Sequence, residues 1–179
     1  MERLRRFIWY LAGRLFLLLT LLSLFTVTFY YAMNATNIYI VLKDGMAKRA
    51  QVIMMEEDAS ELTKFFQSSY LQRDQNLQIA LEGKSPYTYY TVRGIDHRLK
   101  MTWMWCWPWD TTARAEFTET IPRIDRRVKS SSADAARALY GDGFEYPPKW
   151  QGGRYAATLV KENGQWHVRS LTLLAQVDE

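Results

Sequence analysis

Asp96 and His97 form the one carboxylate–histidine dipeptide in the chain, with Tyr89 and Tyr90 a few residues upstream. A histidine titrates near neutrality, so beside a carboxyl and a phenol it is a candidate general acid or base. The second histidine, His167, lies far along the chain, and strand alternation sets it on the opposite face from Trp166 and Val168. Cys106 stands alone, which excludes an internal disulfide. Two histidines and one cysteine at unrelated places make neither a nucleophilic triad nor a metal-ligand spacing. Catalysis, a metal and a cofactor are therefore not expected. Asp110 reads as a turn residue.

Two other groups invite function. Trp103, Trp105 and Trp107 recur at every second position, followed by Trp109. With Tyr89 they are a candidate ligand pocket, since stacked indoles can line a site for a lipid, sugar or peptide. The same spacing suits the core of a concave sheet, which is the preferred reading, or an aromatic fringe near a membrane. Arg123, Arg126, Arg127 and Lys129 cluster beside Ser130–Ser132. They read as a solvated loop. The functional alternative is contact with anionic headgroups or with a partner's acidic face.

These residues depend on elements that begin with an apolar helix. No charge occurs from Leu15 to Leu42, and Arg3, Arg5, Arg6 and Arg14 precede that run against a single Glu2. About twenty apolar residues cross the ~30 Å hydrocarbon core of a bilayer. The basic flank stays cytoplasmic by the positive-inside rule, while Trp9, Tyr10, Tyr30 and Tyr31 fall at the two headgroup layers. A cleaved signal peptide would have a shorter core and a small-x-small site, so a retained anchor is expected. The tail holds three of the four net positive charges; the rest has 19 basic and 18 acidic residues, which offers no nucleic-acid footprint. The expected organisation is a cytoplasmic basic tail over 1–14 and a transmembrane helix over 15–36. A juxtamembrane segment and first helix over 37–57 precede an extracytoplasmic domain over 58–179.

Beyond the membrane, Lys43-Asp44-Gly45 predicts a break, followed by a first helix with an end near Glu57. Asp58-Ala-Ser-Glu61 reads as a capping box that starts a second helix reaching about Leu71. Strands are predicted over Tyr87–Val92, Arg98–Trp107 and Ala113–Ile121. Strict alternation over Arg98–Trp107 would put Leu99, Met101, Trp103, Trp105 and Trp107 on one face. A loop over Arg123–Ser132 and a short helix to Tyr140 follow. Two closing strands, Tyr155–Val160 and Trp166–Leu174, are joined across Asn163-Gly164. Helices first and antiparallel strands later mean α+β, with helices packed on a curved antiparallel sheet.

An anchor, a helical pair and a bent sheet closing on Gly164-Gln165-Trp166-His167-Val168 resemble the nuclear transport factor 2-like (cystatin-like) superfamily. With its single anchor the chain resembles small bitopic assembly proteins of conjugation, type IV secretion or sporulation complexes. That resemblance implies a non-catalytic scaffold at a bacterial plasma membrane. Its partners would be the lipid bilayer, other envelope proteins and itself as a homo-oligomer, with no nucleic acid. The alternative it leaves open is a pocket protein for a small or lipidic ligand, or an enzyme of the same fold.

Overall fold

Helix α1 runs without interruption from Glu2 to Met55 in the computed structural model, which describes residues 2–177. Met1 of the expected tail and the last two residues of the expected domain lie outside the described residues. At 1.5 Å per residue α1 is about 80 Å long. No residue from Glu2 to Met33 is buried, and an 18-residue window in this helix has a mean hydropathy of 2.0. One long apolar helix is therefore long and apolar enough to cross a membrane. From Asn34 onward the helix turns into core: Ile38, Leu42, Met46, Ala50, Ile53 and Met54 are buried along it.

The expected break at Lys43–Gly45 does not occur. Lys43 and Asp44 face solvent, while Gly45 is buried, and a Cβ there would stand 2.8 Å from Phe65 Cβ. Glycine marks a close approach, not an end. The helix stops at Glu56, whose φ of 57° lies in the left-handed region that closes helix termini.

The expected second helix is also divided. Asp58 does cap, accepting from Ser60 N, but only a 3-10 segment, Ala59–Lys64, follows before the chain extends. There Gln67 N donates to Val168 O and Val168 N donates to Phe65 O. Those two strand-like bonds outcompete helix continuation. A single turn, α2 (Ser68–Leu71), then leads to α3 (Gln75–Leu81), which the sequence reading did not anticipate.

The rest is antiparallel sheet and one short helix. Strands β2 (Arg98–Trp105), β3 (Thr112–Thr120), β5 (Gly152–Glu162) and β6 (Gln165–Val177) make a four-stranded sheet in the order β2-β3-β5-β6. Strands β1 (Tyr90–Ile95) and β4 (Ile124–Val128) form a separate ribbon, and α4 (Ala133–Tyr140) follows it. The β5–β6 turn is as expected: Asn163 and Gly164 have φ of 50° and 84°, the left-handed pair that a two-residue hairpin needs. Irregularities at Arg154/Tyr155 and Thr158/Leu159 bend this pair. The domain half of α1 packs against α3, β1, β2 and β6, so the chain is α+β with its core strung along that helix.

Candidate functional site

Charge enters the core where α1 meets α3. Arg49 is buried on α1, and its guanidinium takes both oxygens of Asp74, with Nη2 to Oδ1 at 2.9 Å. Asp74 is held there because it also caps α3, accepting from Leu77 N at 3.3 Å. Tyr70, one helical turn earlier, donates to Oδ2 at 3.3 Å. Burial opposes the Arg49 charge, but the hydrogen bonds to Asp74 outweigh it and raise the guanidinium pKa. Burial likewise pushes the Asp74 carboxyl up, and the Arg49 contacts overcome it and hold the carboxyl below its ordinary range. The Tyr70 phenol is pushed up mainly by burial and stays protonated.

A second pair lies close by. Glu119 on β3 is 0% exposed, and its Oε1 is 3.1 Å from His97 Nε2; Oε2 has no partner. Both Arg49 and Tyr155 feel the Glu119 charge. On β3, Ala113, Ala115 and Phe117 are buried at alternate positions, and Glu119 lies in the same phase. That phase is the signal that could have found it. His97 is thus a partner of Glu119, and Asp96 pairs instead with Arg98. Tyr90 spends its hydroxyl on Phe144 O and Tyr146 O at 2.9 and 3.2 Å. The residues of the acid–base candidate set do not converge.

Two concavities flank this charged core. One, of about 310 Å³, is lined by Arg49, Tyr87, Trp150, Tyr155 and Leu173 among others. Burial pushes the Tyr87 phenol up to about 12, so this wall is neutral apart from Arg49 and Lys149. The other, of about 850 Å³, opens between Ile121–Arg126 and Tyr146–Gly152. His97 and Glu119 line neither.

The tryptophan ladder is not core. The register of β2 on β3 skips Thr102: Met101 pairs with Phe117, and Trp103 already pairs with Glu116. One extra residue reverses the phase of a strand. Leu99 and Met101 face inward before the bulge, Met104 and Cys106 after it, and the indoles turn outward. Cys106 takes the buried place, where burial pushes its thiol pKa up. Trp103, Trp105, Trp107 and Trp109 are 48%, 52%, 38% and 67% exposed. Tyr89 does not join them; its ring meets Tyr140 at 6.4 Å.

The expected basic loop is a strand over half of its length. Ile124–Val128 pairs with β1, because Ile124 and Val128 alternate with charged residues and meet Ile95 and Tyr90. Arg126 lies 4.3 Å over the Tyr146 ring, and Lys129 reaches Glu56 at 3.1 Å. Arg123 and Arg127 are exposed. The four cations are therefore split between a groove wall, a strand face and the end of α1. Among the described residues no group of three His, Cys, Asp or Glu could hold a metal.

Compared with family models, curated proteins and solved structures, the chain matches none.

Proposed function

We propose that this chain is a single-pass membrane protein, N-terminus in the cytoplasm and domain outside. Its work is that of a non-catalytic assembly subunit of a bacterial envelope complex of the conjugation, secretion or sporulation kind. Its domain is a cone of the nuclear transport factor 2-like type, with the bent four-stranded sheet as wall and α1 laid across it. Continuity of α1 carries the reading. The helix that would cross the bilayer is also the spine of the domain, with Ile38 and Leu42 fully buried directly after the apolar run. Such a joint holds the domain at one height and one heading over the membrane, which suits a part positioned against neighbours. The pairing of Arg49 with Asp74, and of the Tyr90 hydroxyl with Phe144 O, supports the same reading.

Crosslinking in intact membranes followed by mass spectrometry tests it: discrete oligomers or envelope partners are expected. A monomer that co-purifies with a metabolite, lost on Trp150→Ala in the cavity beside Arg49, would replace the scaffold with a binding protein. Alkaline phosphatase fused after Glu179 is expected to be active, and an inactive fusion reverses the orientation.

A further inference from the structure

The four outward indoles lie at a particular height. Trp105 and Trp107 stack at 6.0 Å, and Trp107 meets Trp109 edge-on at 5.1 Å, so they form one continuous aromatic surface at the tip of the β2–β3 hairpin. That tip is fastened to α1. Asn34 Nδ2 donates to Pro108 O at 3.0 Å, and the Tyr31 ring lies 6.5 Å from that of Trp105. Asn34 is the first buried residue of the helix, so these contacts mark the point where the exposed apolar run ends.

Height follows from the helix. Counted from Leu15, the first residue after Arg14, about twenty residues at 1.5 Å each cover the ~30 Å hydrocarbon core and end at Asn34. Indole, apolar with one N–H donor, concentrates at the boundary between acyl chains and headgroups. Arg114 is exposed directly across from Trp105 in the β2–β3 register, on the same face. Its guanidinium suits a lipid phosphate.

We propose that the β2–β3 tip enters the interfacial layer of the bilayer that α1 crosses, with Trp103, Trp105, Trp107 and Trp109 at headgroup depth. The occupant of this aromatic face is lipid. The inference rests on α1 being a membrane span and adds a second, non-spanning foothold beside it.

The test uses the full chain in phosphatidylcholine vesicles, with and without lipids brominated high on the acyl chain. Hairpin emission is the difference between wild type and a variant carrying Trp103→Tyr, Trp105→Tyr, Trp107→Tyr and Trp109→Tyr. The remaining emission of that variant includes Trp9 on α1 and reports whether the helix is in the bilayer. Brominated lipid is expected to remove most of the difference emission, and aqueous iodide little of it. Quenching by iodide alone, with the variant's emission still quenched by lipid, would place the hairpin in water and overturn the proposal. Protection from both quenchers would mean a protein cover, such as a second copy, and would overturn it equally. If brominated lipid leaves the variant's emission untouched as well, the membrane span itself fails, a result distinct from the other two.

Discussion

The two halves of α1 share one backbone geometry and differ in everything their side chains do. From Leu15 to Met33 no residue is charged and none is buried, and the Ser and Thr hydroxyls turn inward on the helix: Thr20, Ser23, Thr26 and Thr28 each donate to the carbonyl four residues back, at 2.8–2.9 Å. After Asn34 the helix carries a buried stripe, a glycine contact and an arginine paired with Asp74. An apolar surround requires polar groups to be satisfied within the segment. A protein surround lets α3 and the 3-10 segment supply partners from a distance. The alphabet of a helix reports what surrounds it, and the change falls at Asn34 and not at the first charge, Lys43.

That boundary is open to attack. A chain started at Lys43 lacks Ile38 and Leu42, each fully buried, at a cost of about 2–5 kcal/mol apiece by comparison with large-to-small core changes. It is expected to be unfolded by circular dichroism, whereas a chain started at Ala32 folds. Equal stability of the two would move the start of the domain past Leu42.

Asp74→Ala leaves Arg49 buried without a counter-charge and is expected to cost about 3–5 kcal/mol in a denaturant melt. Removing the Thr20 hydroxyl from the other half is expected to leave the melt unchanged. The same pair sets an acid limb. The folded Asp74 pKa lies below the unfolded value of about 4, so its contribution is complete above that pH and is lost as pH falls through the folded value. With Asp74→Asn the deficit against wild type should narrow in acid, and a gap that widens there would reverse the sign.

A methyl group separates the halves more finely. Gly45→Ala drives a Cβ into Phe65 and is expected to cost about 1–3 kcal/mol, while Gly13→Ala meets no atom within 4 Å. Thermal melts of the two variants side by side would show it. The smallest effect belongs to the hairpin: Trp105→Tyr, half exposed, is expected to change domain stability by about 0.5 kcal/mol or less. A larger loss would return the ladder to the core.

Long-period signals were legible in the sequence. The apolar helix stands out by length, the β5–β6 hairpin by Asn163-Gly164, and the start after α1 by the Asp58 cap. What stayed hidden depends on pairing across space. The bulge at Thr102 exists only relative to Phe117 and Glu116, so alternation along β2 alone put Trp103, Trp105 and Trp107 on the wrong face. The end of the 3-10 segment is dictated by Val168, a hundred residues away in sequence. Asp74 looks like an ordinary cap until Arg49 is seen beside it. Strand β4 was missed because three charged residues, Asp125, Arg126 and Arg127, separate Ile124 from Val128.

An unbroken α1 also acts as an axle. With 3.6 residues to a turn, one residue inserted between Leu24 and Phe25 rotates the N-terminal arginines about 100° relative to the domain. Seven residues, about two turns, nearly restore the heading and add about 10 Å of length. A process that reads the relative bearing of tail and domain would fail with one, two or five inserted residues and recover at seven. One that needs only attachment would not notice the difference.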